Sequence, residues 1–193
     1  MSVRRFSLDG TAPTLWKNGG GQTREIAAWP PGASMETFDW RISVADIAAD
    51  GPFSAFVGID RQIALLEGAG VVLQARDGTF RHRLDRLGEP FPFTGDIAVD
   101  ATLIDGPTRD FNVMTRRGRC RAVVEALRSP FGIDGDDAML VFVVAGRWHD
   151  ADGHQLAVGD GMLWTAASMR RTTLTPADAT ALCLRVTLHG EPI

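Results

Sequence analysis

Residues 62–75 read QIALLEGAGVVLQA and contain two short apolar segments separated by a turn signal. The first segment, Gln62 to Leu66, and the second, Val71 to Ala75, have the length and the aliphatic character of β-strands. Glu67-Gly68 between them is typical of a turn, because glycine adopts the backbone angles that tight turns require. The stretch therefore predicts two short β-strands joined by a turn.

The same pattern extends outward from this stretch in both directions. Further strands are predicted at Thr23 to Ala28, Phe38 to Ala45, Asp96 to Leu103 and Phe111 to Thr115. Turn signals rich in Pro, Gly and Asp separate them, and helical periodicity is limited to one turn of helix near Asp46 to Asp50. Many short strands with closely spaced turns predict an all-β sandwich or barrel.

The C-terminal half repeats this organisation. Leu65 to Gly70 begins a hairpin that reaches Phe93 to Asp96, and Val143 to Trp148 begins one that reaches Val158 to Asp160. In each case an apolar strand ends at Gly, a charged hairpin follows, and a Gly-Asp turn leads into another apolar strand. The repeat predicts two similar β units in one chain.

Composition limits the classes of function. The chain has 193 residues, 45% of them hydrophobic, which is enough for one large β domain or two small ones. With 20 Lys and Arg against 24 Asp and Glu, the formal net charge of -4 argues against nucleic acid as a partner. No apolar run approaches the roughly 20 residues that cross a bilayer, and no signal peptide is recognised. We expect a soluble, cytoplasmic protein with no membrane partner.

A glycine-rich stretch is the first candidate for function. Residues 16–26 read WKNGGGQTREI. Three consecutive glycines are costly to order, so they predict a backbone conformation or a close ligand approach that a Cβ would forbid. A Gly-rich turn without a ligand is the alternative. Two nucleotide-binding motifs fail on spacing. A dinucleotide fingerprint needs a third glycine where Arg24 stands, and a Walker loop needs its lysine after the glycines, whereas Lys17 precedes them. The candidate ligand-binding residues here are Lys17, Asn18, Gly19 and Gly20.

Four more strings accompany this stretch: GPFS at residues 51–54, GIDR at 58–61, PFPFTGD at 90–96 and DFNVM at 110–114. Together they make the chain resemble the HutD/Ves family of bacterial cupin-like proteins from about residue 3 to about residue 190. The resemblance implies an all-β bicupin, in which one chain forms two cupin-like β-barrel units with a pocket. It also implies a regulatory link to histidine utilisation, and it supplies no established reaction.

We place the two cupin-like units at residues 1–118 and 119–193, together forming one compact bicupin. The N-terminal unit carries the 16–26 loop and the expected pocket. The join lies in the arginine-rich run that begins at Arg116, which we interpret as a solvated edge strand.

Two arginines are predicted on otherwise apolar strand faces. If residues 23–28 form a strand, alternation places Arg24 on the face of Ile26, and in the strand at 60–66 it places Arg61 on the face of Ile63. An arginine on an apolar face is costly unless it pairs with an acid or lines a wet cavity. Each arginine alone fits either alternative. Two of them, beside a loop with a lysine and an asparagine, favour an anion pocket.

Asp110, Asn112 and Met114 alternate with apolar residues, so one face of their strand carries a carboxylate, an amide and a thioether. This face points either to solvent or into a cavity. In a cavity, Asn112 would orient a ligand and Asp110 would fix an arginine through a bidentate pair. The resemblance favours the cavity, because these residues belong to one of its strings.

The histidines do not follow the spacing of a metal-binding cupin. His82 has no histidine two residues away, and His149 and His154 are separated by a loop that contains Asp150 and Asp152. Three convergent ligands with an open position are not visible in this pattern. We predict no metal and no other cofactor.

These observations favour a metal-free protein that binds a small carboxylate metabolite, and they favour a binding protein over an enzyme. The resemblance suggests a governor of histidine utilisation that binds urocanate or formylglutamate, with Lys17, Arg24 and Arg61 holding the carboxylates. One alternative is a metal-independent isomerase or hydrolase with Asp110 or His82 as general base. The other is an interaction module whose exposed strands dock a protein. The oligomeric state stays open, with a homodimer among the options.

Overall fold

The computed structural model describes residues 3–134, 137–165 and 172–190. Its strands are β1 (Arg4–Ser7), β2 (Pro13–Leu15), β3 (Gly21–Trp29), β4 (Trp40–Ile47), β5 (Gly51–Phe53), β6 (Ile59–Glu67), β7 (Val71–Ala75), β8 (Arg81–Leu84), β9 (Pro90–Thr94), β10 (Val99–Leu103), β11 (Thr108–Arg116), β12 (Cys120–Leu127), β13 (Phe131–Ile133), β14 (Ala138–Ala145), β15 (Trp148–His149), β16 (Gln155–Leu156), β17 (Asp160–Trp164), β18 (Thr172–Pro176) and β19 (Leu182–Gly190).

The residues described contain no helix, which confirms the all-β prediction. The turn of helix predicted near Asp46 to Asp50 does not form, because β4 continues through Asp46 and keeps pairing with both of its neighbours. No helix capable of spanning a membrane occurs in the described ranges.

The chain forms two compact units. The central unit consists of residues 12–121, and the terminal unit combines residues 3–11 with the described residues between 122 and 190. The sequence-based division at 118 and 119 counts the first eleven residues with the N-terminal unit. In the structure β1 instead pairs antiparallel with β17 of the terminal unit, with Arg4 opposite Leu163. A four-residue strand carries no pattern that identifies its partner, so this assignment was not readable from the sequence.

The central unit is built from two antiparallel sheets. One has six strands in the order β2-β3-β4-β11-β6-β9, and the other has four in the order β5-β10-β7-β8. Apolar side chains of the two sheets form a common core that includes Ile63, Leu65, Val71, Leu73 and Val99. Hydrogen bonding ends at the outer strands of each sheet, so the unit is a sandwich of two sheets and not the closed barrel that the sequence analysis expected.

The terminal unit has the same two-layer construction. Its sheets have the strand orders β1-β17-β14-β19-β12 and β13-β18-β15-β16. Trp148 and Trp164 are fully buried in its core, packed among aliphatic residues such as Val141 and Leu174. Both indole N–H groups lack a hydrogen-bond partner in the described part of the chain. Large apolar rings therefore fill the interior of this unit.

Candidate functional site

The central unit contains a cavity of about 760 Å³ on the inner face of its six-stranded sheet. This volume lies within the range of roughly 300 to 1,000 Å³ that is common for small-molecule sites. The cavity is lined by residues of the β2–β3 hairpin, of strands β3, β4, β5, β6 and β11, of the segment that follows β5, and by Met35 of the loop before β4. The cavity therefore lies at the end of the six-stranded sheet that the apolar core of the central unit does not cover.

Strand register explains which side chains reach the cavity. Residues directly opposite one another in antiparallel strands point to the same face, so β4, β11 and β6 form cross-strand rows on the inner face. The three rows are Arg41, Met114 and Arg61; Ser43, Asn112 and Ile63; and Ala45, Asp110 and Leu65. The first row lies entirely in the cavity wall, whereas of the third row only Ala45 reaches it.

Arg61 is the most unusual side chain in the wall. It is only 8% exposed, yet it forms no ion pair with any carboxylate in the residues that the structure describes. Its guanidinium lies 4.9 Å from the Phe93 ring centroid and 5.3 Å from that of Phe53, and its Nε has no hydrogen-bond partner. Burial, and to a lesser extent the nearby Arg41, lowers the pKa of Arg61 to about 10, so the group is still charged at neutral pH.

Asn112 holds this guanidinium in place. Nη2 of Arg61 donates to Oδ1 of Asn112 at 3.0 Å, and Nη1 lies 3.5 Å from the Ser54 carbonyl oxygen. Since Asn112 and Arg61 are on adjacent strands with fixed register, the contact needs no loop movement. Asn112 therefore positions the arginine, and its side chain also borders the cavity.

A second arginine, Arg41, lies in the same wall and was not predicted from the sequence. Arg41 donates from Nε to Oε2 of Glu25 at 2.7 Å and from Nη1 to Oγ of Ser43 at 3.2 Å. All three residues line the cavity. The signal was present in the sequence: Arg41 and Ser43 alternate with Ile42 and Val44, the same pattern that identified Asn112.

Lys17 and Asn18 also border the cavity, on the hairpin that connects β2 to β3. Asn18 Oδ1 accepts a hydrogen bond from the Gly20 backbone amide at 3.0 Å, which closes the turn. The side-chain oxygen of Asn18 is thereby occupied, while Lys17 is exposed at the edge of the cavity.

The glycines act in the turn itself, and neither Gly19 nor Gly20 lines the cavity. Gly19 has a φ of 71°, which favours glycine, and a Cβ on Gly20 would approach only the Asn18 side chain, at 3.4 Å. The close approach occurs at Gly21, where a Cβ would lie 2.2 Å from the Asp46 carbonyl oxygen. Turn geometry at Gly19 and strand contact at Gly21 therefore account for two of the three glycines.

The structure places Arg24 outside the cavity. A β-bulge between Glu25 and Ala27 adds one residue to β3. The simple alternation that was expected to place Arg24 and Ile26 on one face is therefore interrupted. Arg24 lies opposite Val44, on the face of the six-stranded sheet that points away from the cavity. Its Nη1 donates to Oδ2 of Asp46 at 2.5 Å. The ion-pair alternative therefore describes Arg24.

The Asp46 carboxylate accepts hydrogen bonds from several side chains on this face of the sheet, away from the cavity. It accepts hydrogen bonds from Gln22 at 2.7 Å and from Arg109 at 2.5 Å in addition to Arg24. Burial acts to raise the pKa of Asp46, but the bonds from Arg109, Gln22 and Arg24 outweigh it and lower the pKa overall. These contacts stabilise the ionised carboxylate and leave Arg24 no role in the cavity.

Asp110 does not fix an arginine. Its side chain is fully buried between Ala45 and Leu65, and neither carboxylate oxygen has a hydrogen-bond donor among the described residues. The Thr108 hydroxyl on the same strand donates to the Glu67 carbonyl oxygen at 2.8 Å and is already engaged. Burial raises the pKa of Asp110 to about 7, so much of this group is a neutral acid at neutral pH.

The residues considered as general bases are away from the cavity. His82 lies on β8, stacked on Phe91 with ring centroids 3.7 Å apart, and burial is the main cause that lowers its pKa. Neither His82 nor Asp110 lines the cavity wall. The two bases named for the isomerase or hydrolase alternative are therefore not in contact with this space.

One group of metal-ligand side chains does converge, contrary to the expectation from spacing. Ligand atoms of Asp150, Asp152 and His154 lie within 4.8 Å of one another in the terminal unit. Asp150 already receives the Arg5 guanidinium and the backbone amides of Asp152 and His154, at 3.0 and 2.9 Å. The Asp150 carboxylate therefore closes a hairpin loop through these contacts.

Comparison with known proteins identifies the family. The HutD family model matches residues 10–184. Protein Ves of Citrobacter koseri is 44% identical over 160 residues, which cover 82% of this chain and 81% of that protein. The structure of HutD from Pseudomonas fluorescens SBW25, obtained in a formate condition, superposes with a TM-score of 0.85 at 32% identity, covering 99% and 100% of the two chains.

A conserved protein of unknown function from Pseudomonas aeruginosa PAO1 is similar in structure, with a TM-score of 0.84 and 31% identity over 97% of this chain and 99% of that one. More distant likeness extends to the cupin fold alone, as in Bacillus subtilis oxalate decarboxylase, with a TM-score of 0.65 and 9% identity over 97% and 77% of the chains. The family match and these identities over most of the chain show that this cupin-like protein belongs to the HutD/Ves family.

Proposed function

We propose that the protein binds a small carboxylate metabolite in the cavity of the central unit. The observation that carries the proposal is Arg61, a buried guanidinium with no carboxylate partner in the described ranges. Removing such a cation from water without a counterion is strongly unfavourable. A bound anion in the cavity, whose wall includes Arg61, would supply the missing charge.

The rest of the wall supports an anion. The titratable side chains that line the cavity are Lys17, Arg41 and Arg61 against the single carboxylate of Glu25. A planar guanidinium that is held by Asn112 and surrounded by aromatic rings matches the bidentate geometry of a carboxylate. The aromatic rings also exclude water, which strengthens the charge interaction.

Family membership supports a ligand from histidine breakdown, such as urocanate or formylglutamate, and a governing role in histidine utilisation. Binding without catalysis is favoured because His82 and Asp110 do not reach the cavity and the carboxylate of Glu25 in its wall is paired with Arg41. Urocanate and formylglutamate are therefore the first ligands to test.

The proposal is tested by thermal shift with formate, urocanate and formylglutamate. A ligand at about 100 times its dissociation constant stabilises by roughly 2.7 kcal/mol. For a chain of this size that raises the Tm by roughly 5 to 10 °C. We expect Arg61→Met to abolish the rise and to remain folded.

Arg76→Met is the matched control, because Arg76 forms an exposed ion pair with Asp100 and does not line the cavity. It should keep the full ligand response. A ligand response that survives in Arg61→Met, or no response to any of these acids in the folded wild type, would contradict carboxylate binding at Arg61.

A further inference from the structure

Two arginines project into the cavity from strands on either side of β11. Arg41 of β4 and Arg61 of β6 both lie opposite Met114, so they belong to one cross-strand row and point to the same face. Neighbouring strands are about 4.8 Å apart, which puts the two backbones roughly 10 Å apart. Long side chains at this separation can reach two ends of one small ligand.

Arg41 is held on one edge and open on another. Ser43 and Glu25 occupy its Nη1 and Nε, whereas Nη2 has no hydrogen bond to any described residue. Its side chain is only 13% exposed, so the guanidinium stays at the wall. Nη2 of Arg41 and the uncompensated guanidinium of Arg61 are therefore two separate anion-binding groups in one cavity.

Glu25 occupies the position of a counterion that can be replaced. Its side chain is 49% exposed, far more than that of Arg41. An exposed carboxylate regains hydration when it turns outward, so an ion pair of this kind contributes little to stability. A carboxylate group of a ligand can take its place on Arg41 at small cost.

The charges in this part of the wall are unbalanced. Glu25 neutralises Arg41, but nothing among the described residues neutralises Arg61. A ligand with one carboxylate would satisfy Arg61 only. A ligand with two would satisfy Arg61 and also compete with Glu25 for Arg41.

Resting on the carboxylate binding proposed above, we infer that the cavity selects dicarboxylates over monocarboxylates, with Arg61 holding one carboxylate and Arg41 the other. Arg41 is then the specificity-determining residue, and Glu25 is an internal competitor that the second carboxylate displaces. Met114 between the two arginines supplies an apolar surface for the carbon chain of the ligand.

The test compares matched acids by calorimetry: succinate with butyrate, glutarate with pentanoate, and adipate with hexanoate. Each pair has the same number of carbons and differs by one carboxylate. We expect the best dicarboxylate to bind wild type roughly 10- to 100-fold more tightly than its partner, the range typical of hydrogen bonds to charged groups. Arg41→Met should remove this preference, because it lowers dicarboxylate affinity far more than monocarboxylate affinity.

Glu25→Gln gives a second, independent measure. Because the variant weakens the competitor, it should increase dicarboxylate affinity several-fold, and by more than it increases monocarboxylate affinity. If Glu25 instead accepted a hydrogen bond from the ligand, its replacement would lower affinity, which would overturn the inference. Arg76→Met controls for the loss of one positive charge at an exposed position.

The possible failures can be told apart. If the folded wild type bound none of the six acids, carboxylate binding itself would be contradicted. If monocarboxylates and dicarboxylates bound equally and Arg61→Met abolished both, the proposed function would stand and the role of Arg41 would be wrong. Equal losses for both classes in Arg41→Met would also contradict the inference. Should Arg41→Met fail to fold, the sign of the Glu25→Gln effect decides.

Discussion

Arg61 and Asp110 carry opposite charges on the same sheet face, and they do not pair. They belong to adjacent strands but to different cross-strand rows, separated by the row of Asn112. Burial disfavours the charged form of each group. The carboxyl can escape this cost by binding a proton near pH 7, whereas an arginine with a pKa of about 10 cannot release one at neutral pH. Only the arginine therefore needs an anion.

Replacing Asp110 by Asn should stabilise the protein increasingly as the pH rises. The folded-state pKa of about 7 lies above the ordinary value of 3.8, so the native state holds the proton more tightly than the unfolded chain does. Wild type therefore loses stability between about pH 4 and pH 8, by roughly 4 kcal/mol in total. The amide introduced by the substitution does not titrate, so the variant avoids this loss.

Urea unfolding of both proteins at pH 4, 6 and 8 measures the effect, and the difference between them cancels the titration of all other groups. The expected gap in unfolding free energy widens in favour of Asp110→Asn toward pH 8. A constant gap across this range would mean that Asp110 keeps an ordinary pKa and has a donor.

At the scale of the element, strand alternation predicted some positions well and failed at one bulge. Arg61 and Asn112 lie in stretches with continuous register. The alternation of side chains along a strand therefore predicted correctly which face of the sheet each of them occupies. Arg24 lies beside the bulge at Glu25 and Ala27, and one inserted residue reverses the face of everything beyond it. Nothing in a single sequence marks such an insertion. The cavity also depends on the packing of two sheets, which alternation does not describe.

The hairpin between β2 and β3 gives a prediction about its glycines. A Cβ at Gly21 would lie 2.2 Å from the Asp46 carbonyl oxygen, so Gly21→Ala must push β3 and β4 apart. We expect a loss of about 1 to 3 kcal/mol in unfolding free energy, as is typical of overpacking. Gly20→Ala is the matched control: its φ is not positive and its Cβ meets only a flexible side chain, so its effect should stay within about 0.5 kcal/mol.

Chemical denaturation of the two variants at one pH measures this difference. Equal destabilisation would show that the whole three-glycine run is needed for its backbone freedom. Greater damage from Gly20→Ala would place the close contact at Gly20 and so contradict the observed register.

At the scale of the whole molecule, the two units use their interiors differently. The terminal unit is filled by Trp148 and Trp164, while the central unit keeps a cavity lined by cationic side chains. The formal net charge of -4 gives no hint of this, because a cavity of opposite sign occupies a small part of the surface. The proposed ligand site at Arg61 therefore lies at a place where a buried charge lowers stability.

Arg61→Met should therefore make the ligand-free protein more stable, not less. Wild type holds a guanidinium that is only 8% exposed and lacks a carboxylate, whereas methionine fits the surrounding phenylalanine rings and carries no charge. Substitution of buried ionic groups by apolar residues of similar volume often stabilises by about 1 to 4 kcal/mol. At this chain length each kcal/mol raises the Tm by about 2 to 4 °C.

Differential scanning calorimetry without ligand measures the change, with Arg76→Met as the exposed control. A loss of about 3 to 5 kcal/mol would instead identify Arg61 as half of a structural ion pair. A gain in stability together with a loss of ligand response is the combination that a binding residue produces and a structural residue does not.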